Sequence, residues 1–295
     1  LARISIDDAR PVPLFAGRPA RETEVDVALG PLMETMTWRE IEQAVTEGYV
    51  PVLPIGATEQ HGPHLPLATD TILPTELTKL AAREVKILIP PPLAFGFKSK
   101  ARSGGGQGFP GTISLDGETL IRLVRDVVSE LARHGFRRIV LLNWHMENVN
   151  FVWEGIDQAR AAGRVNGVTV MSIDSLTGSL MHEDLTWLFD QGFPGWDVEH
   201  AAIVETSLML ALRPELVRIE EISDDAPEEH PWYDLVPEPR RHVPASGVLS
   251  RASPASPEKG ERLRDLLVAR LVEAIVKEFG AGREGPDRVS RAAEA

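Results

Sequence analysis

Apolar positions along the chain concentrate in short stretches separated by longer ones of helical spacing. The runs are Val50 to Ile55, Ile87 to Leu93, Arg137 to Leu142 and Val168 to Ile173. Short apolar runs bounded by turn residues read as strands covered on both faces. The helical stretches lie between them. Met36 to Glu47 has Thr37 as a plausible N-cap, with Glu40 three residues on. Leu73 to Val85 follows. A strongly amphipathic stretch runs from a capping Asp116 through His134 and is closed by Gly135. Asn148 to Ala162 closes at Gly163, Ala201 to Leu212 stops at Pro214, and Pro257 to Phe279 forms a last helix.

Strands alternating with helices predict parallel βαβ units and a layered α/β fold. Residues 1–35 read as an irregular leader, 222–258 as an extended surface excursion, and 280–295 as a polar tail. Phe95 to Thr112 reads as a long loop, a feature that in compact chains is usually functional or disordered. No repeat or linker breaks the pattern, so residues 1–295 are expected to form one domain.

Composition narrows the chemistry more than the fold. The chain has 295 residues, 43% of them hydrophobic, and no cysteine. Disulfides, thiolate nucleophiles and cysteine-ligated metals are excluded. Any metal must be held by His, Asp and Glu. The 44 acidic and 31 basic residues leave a net charge of −13, which disfavours nucleic acid and anionic membranes as partners. No apolar run approaches the ~20 residues of a membrane span. No signal-peptide core is visible near the first residues, and a cytoplasmic setting is expected. The chain opens on Leu1 rather than Met, so the natural start is expected upstream or removed by processing.

Two strand ends carry the candidate chemistry. Thr58-Glu-Gln-His-Gly-Pro-His-Leu-Pro-Leu-Ala-Thr-Asp70 follows the first strand. Ligands of open α/β sheets gather outside the carboxyl ends of strands. Glu59 and His61 are two apart, which in extended chain points both to one side. Asp70 precedes a helix, where it either bridges two cations or caps the helix. His64 is assigned to the loop or to a supporting position. The second strand end is Leu141-Leu-Asn-Trp-His-Met-Glu-Asn148, where His145 and Glu147 repeat the same spacing. Capping of the next helix accounts for Asn148 but leaves His145 unexplained. In Gly195-Trp-Asp-Val-Glu-His-Ala-Ala-Ile-Val-Glu-Thr-Ser207, His200 suits a proton relay. Glu205 either buttresses the site or is structural, and Trp196 is either core or pocket wall. The glycines of Ser103 to Thr112 either bring backbone close to a ligand or form a flexible surface loop. They are no phosphate loop, since no Lys-Ser/Thr follows them.

Taken together, these stretches resemble the creatininase (creatinine amidohydrolase) family. The resemblance runs from about Val50 to Phe279. It rests on Glu59-Gln-His-Gly-Pro-His, Lys98-Ser-Lys-Ala-Arg-Ser-Gly-Gly-Gly, Phe109-Pro-Gly-Thr, Asn143 to Asn148, Glu154-Gly-Ile-Asp, Gly195-Trp-Asp-Val-Glu-His and Glu205-Thr-Ser-Leu-Met-Leu-Ala-Leu. It implies a layered α/β/α sandwich with a mainly parallel sheet, a homohexamer, and two divalent cations per chain, zinc or manganese. Glu59, Asp70 and His145 would hold one cation, and His61, Asp70 and Glu147 the other. His200 would donate a proton to substrate. Ser103, Met146, Trp196 and Asp197 stand where the family contacts substrate. Three positions depart from the family: Trp144 replaces a glycine, Met146 a tyrosine, and Asp174 a tryptophan that closes over the substrate. The departures spare the expected ligands and alter the pocket.

The expected reaction is hydrolysis of a small cyclic amide, a creatinine-like ring, lactam or cyclic amidine. A hydroxide bridging the two cations would attack the carbonyl. The rivals are a deformylase or small-peptide hydrolase using the same metals, and a non-catalytic metal-binding scaffold.

Overall fold

The computed structural model describes residues 31–227 and 229–280. The expected leader lies almost wholly outside these residues, and so does the expected tail beyond Gly280. Four strands form one all-parallel sheet: β1 (Val50–Ile55), β2 (Ile87–Leu88), β3 (Arg138–Asn143) and β4 (Thr169–Ile173), in the order β2-β1-β3-β4. β1 and β3 sit at the centre, with Val52 opposite Val140 and Ile55 opposite Asn143. Their carboxyl ends therefore lie side by side.

Alternation along the two central strands sends side chains to opposite faces. Val50, Val52, Val140 and Leu142 pack with α2 (Thr69–Ala81), α7 (Ile203–Leu212) and α8 (Pro257–Phe279). Leu53, Ile139 and Leu141 pack with α4 (Gly117–Arg133) and α5 (Val149–Ala161). Each such side chain, fully buried, contributes about 1.5–3 kcal/mol. The result is the expected sandwich, helices on both faces of a parallel sheet. The α7–α8 contact needs Gly260, where an added Cβ would stand 1.9 Å from the Ser207 carbonyl oxygen.

Several boundaries differ from the sequence expectation. α1 (Trp38–Thr46) is shorter than expected, but Thr37 and Glu40 form the reciprocal capping box. β2 ends at Leu88 rather than Leu93. The prolines at 90–92 lack the N–H a ladder needs, and only single bridges from Ile89 and Leu93 continue it. α2 starts four residues earlier than Leu73, which places Asp70 inside its first turn. Asp116 occupies the N-cap position of α4 without a capping hydrogen bond and pairs with Lys98 instead. The long loop contains one helical turn, α3 (Ala101–Gly104). α6 (His182–Leu188) lies in the stretch between β4 and α7. The excursion after Ile222 is largely irregular and tethered to α3. Asp234 pairs with Lys100 and Arg102, and the Ala101 N–H donates to Glu238. Among the described residues, no helix is long and apolar enough to cross a membrane.

Candidate functional site

Directly after β1 the backbone is pinned at successive residues. The Glu59 N–H donates to the Leu67 carbonyl at 3.0 Å, and the Gln60 N–H to Thr112 Oγ1 at 3.0 Å. The Gln60 side-chain amide donates to the Gly104 and Gly247 carbonyls. Glu59 and His61 are thereby fixed at the carboxyl end of β1. Asp70 enters from the first turn of α2, where the helix dipole favours a negative charge. His145 leaves the end of β3. The four side chains are buried, His61 completely.

Asp70 lies between the two imidazoles. Its Oδ1 is 3.1 Å from His61 Nε2 and its Oδ2 is 3.1 Å from His145 Nδ1. Glu59 Oε2 is also 3.1 Å from His145 Nδ1. Glu205, from α7, brings Oε2 to 3.6 Å from His61 Nε2. The far nitrogen of each ring faces a backbone carbonyl. His61 Nδ1 is 3.1 Å from the Glu59 oxygen, and His145 Nε2 is 2.9 Å from the Phe97 oxygen. Donation to those carbonyls leaves the inward nitrogens free to act as ligands, the usual support of a metal-binding histidine.

The charge balance is that of a cation site. Burial opposes a charge on His61 and His145, yet Asp70 with Glu205, and Glu59 with Asp70, hold their pKa values well above the ordinary imidazole value. Burial likewise opposes ionisation of Glu59 and Asp70. The neighbouring histidines outweigh it and hold both carboxyls below the usual carboxylate range. Among the described residues, buried Glu59 Oε1 has no hydrogen-bond partner. Three overlapping groups among the described residues bring one donor atom per residue within 4.8 Å of one another: Glu59, Asp70 and His145; His61, Asp70 and Glu205; Glu59, His61 and His200. Imidazole and carboxylate donors without thiols fit zinc or manganese.

The remaining predicted residues fall into two sets. Glu147 stands on the other edge of the His145 ring, with Oε2 3.5 Å from Nε2, and accepts the Ser103 hydroxyl. It belongs to none of the three groups. His200 packs against His61 with ring centroids 4.4 Å apart and planes tilted by 42°, and its Nε2 lies 2.9 Å from the Gln60 carbonyl. Asp197 lies on the surface, 3.9 Å from His230 Nε2. Trp144, Met146, Asp174 and Trp196 line a cavity of ≈ 240 Å³ that Glu199 and Glu205 also border.

For several contributors only the tertiary structure fixes the role. Glu205 stands with the donors as well as at the cavity. Burial and the nearby Glu205 push the Glu199 carboxyl up to about 8. Asn148, expected as a helix cap, makes no capping bond. Its amide instead donates to the Gly56 carbonyl and Asn143 Oδ1, and its oxygen accepts the Phe97 N–H. His64 is buried and bonded to Thr206, with burial and the nearby His61 lowering its pKa to about 4. The glycine segment makes a close approach rather than a loose loop: a Cβ on Gly104 would stand 2.2 Å from Glu59 Oε1.

The family model described as Creatininase, creatinine amidohydrolase, matches residues 34–275. The chain belongs to the creatininase family. A creatinine amidohydrolase of Pseudomonas putida is 44% identical over 248 residues, 83% of this chain and 95% of its own. A mycofactocin precursor peptide peptidase of Mycobacterium ulcerans is 31% identical over 249 residues, 80% of this chain and 86% of its own. A crystal structure of creatininase superposes with a TM-score of 0.81 at 43% identity, covering 85% of this chain and 98% of that one. Solved creatininases include one named for Mn and a mutant of Zn–Zn type, both at 43% identity and with TM-scores of 0.81 and 0.80. They cover 85% and 84% of this chain, and 99% and 98% of their own. Membership in the creatininase family carries the enzyme class with it: a hydrolase acting on carbon–nitrogen bonds.

Proposed function

We propose that this chain is a two-metal amidohydrolase that opens a small cyclic amide, a creatinine-like ring, lactam or cyclic amidine. The observation that carries the reading is the Asp70 carboxylate, each of whose oxygens faces a different buried histidine at 3.1 Å. Glu59, Asp70 and His145 would hold one divalent cation, and His61 with Asp70 the other. For the third ligand of that second cation, family resemblance favours Glu147 and proximity favours Glu205. When bound, such cations polarise a carbonyl and lower the pKa of water.

The chain's own groups divide the proton work. Hydrolysis needs an acceptor for the proton of water and a donor for the leaving nitrogen. Glu147 is assigned as acceptor, because it is half-buried and its Oε1 is held by the Ser103 hydroxyl. His200 is assigned as donor, because its ring is oriented by the Gln60 carbonyl beside Glu59 and His61. Trp144, Met146 and Trp196 would enclose the ring and exclude water. Ser103 and Asp197 remain assigned to substrate through family resemblance.

A second reading, hydrolysis of a linear peptide or formamide, is favoured by the open side of the cavity, where Met146 is 45% exposed. Assembly as a homohexamer and a cytoplasmic setting belong to the first reading through the same resemblance. The deciding experiment is metal content of the purified chain together with turnover of a panel of cyclic and linear amides. About two cations per chain, with ring opening that adds water and releases no fragment, supports the first reading. Release of formate or an amino acid selects the second, and absence of hydrolysis with metal bound removes both.

A further inference from the structure

Beside the donor groups, the cavity has two indole walls and carboxylates but no lysine, arginine or histidine among the described residues that line it. Those carboxylates are not equivalent. Glu205 is fully engaged: Oε1 accepts the Trp144 indole N–H at 3.2 Å, and Oε2 accepts the Ala201 N–H at 2.8 Å. Glu199 accepts the Val204 N–H at 2.9 Å. Asp174 has only the Ser172 hydroxyl, at 3.5 Å, and its side chain is otherwise open. Among the described carboxylates that line the cavity it is the most exposed and has the longest hydrogen bond.

Asp174 is also firmly placed. The Asn143 side-chain amide donates to the His145 carbonyl at 2.7 Å and to the Asp174 carbonyl at 2.9 Å. One amide group thus ties the end of β4 to the backbone of a metal-site histidine. The main chain that carries the carboxylate is held in fixed register with the donor groups, at the edge of a cavity walled by Trp144 and Trp196.

We propose that Asp174 is a specificity residue and that the preferred substrate carries a positive charge on the part of the ring remote from the scissile bond. An amidinium or guanidinium presents paired N–H donors that match a carboxylate. A flat cation also gains from lying against an indole face. A neutral lactam of the same shape would forgo both interactions. This inference rests on the cyclic-amide reading and deepens it.

The test uses the metal-loaded protein and two five-membered rings of nearly equal shape, cationic 2-aminoimidazolinium and neutral imidazolidin-2-one, with binding measured by calorimetry. Wild type is expected to prefer the cation. Asp174→Asn is expected to weaken the cation about tenfold or more, as loss of a charge-assisted bond implies, and to leave the neutral ring unchanged. Asp174→Glu, which restores the charge, is expected to recover the preference. Equal binding of the two rings by wild type, equal loss of both in Asp174→Asn, or binding of neither ring overturns the proposal. Hydrolysis of cyclic amides is followed in parallel. Ring opening without charge preference removes this inference alone. Charge-selective binding without any hydrolysis removes the catalytic reading alone.

Discussion

The Trp144 indole N–H donates to Glu205 Oε1 at 3.2 Å, linking the end of β3 to α7 in the interior. Both residues are buried, at 8% and 7% exposure, and Glu205 stands at once against the cavity and 3.6 Å from His61. The wall of the pocket and the donor cluster are therefore mechanically one unit at this point.

Trp144→Phe keeps an aromatic wall and removes the N–H. The deserted carboxylate oxygen is buried, so the chain should lose about 1–3 kcal/mol of stability. A urea midpoint equal to that of wild type would show that Glu205 finds another donor.

Asp70→Asn preserves shape and removes the charge shared by the two histidines. If Asp70 bridges two cations as proposed, metal content should fall from about two per chain to one or none, with turnover down at least about 100-fold. Elemental analysis showing both cations retained would refute the bridging role.

The pH dependence of the metal-free chain has a definite sign. His61 and His145 have raised pKa values, so their contribution to stability is complete below the unfolded value of about 6.5 and is lost as pH rises through the folded values. Glu59 and Asp70 have lowered values, so theirs is present above about 4 and is lost as pH falls through the folded values. A chelated sample should therefore have an acid limb and an alkaline limb. Cations replace the imidazole protons, so reloading should release protons and suppress the alkaline limb. Unfolding midpoints across pH, with and without Zn or Mn, check this; identical curves count against it.

Gly104→Ala places a methyl group 2.2 Å from Glu59 Oε1 and 2.6 Å from Ser99 Cβ. Glu59 must move, and metal affinity should fall by about 10–100-fold while the fold persists. Unaltered affinity in a calorimetric titration would mean that the glycine segment yields instead.

The sequence makes part of this site visible, and physical range explains which part. Glu59 and His61 lie on the connection after β1 and Asp70 in the first turn of α2 that it leads into, so local spacing and strand position suffice to relate them. His145 repeats the relation after β3, and parallel pairing of β1 with β3 brings the two ends together. Glu205 reads either as a buttress of the site or as a structural acid in an apolar helix, since its approach to His61 depends on how α7 packs against the sheet. Asn148 suits a cap by residue type, but its partners Gly56 and Phe97 come from remote loops. Gln60 gives no local signal at all, and its amide joins three separate segments. The sandwich follows from the alternation of strands and helices, whereas β4, expected to be covered on both faces, is an edge strand that is only half-buried. The early end of β2 follows from its prolines.

Asn143 holds the backbone of His145 with one hand and that of Asp174 with the other. It grips main chain, which is indifferent to the side chain attached. The position at the tip of β4 is thus free to vary in character while the reactive centre keeps its dimensions. A lineage built this way can change what it accepts by single replacements at that tip and leave its chemistry untouched.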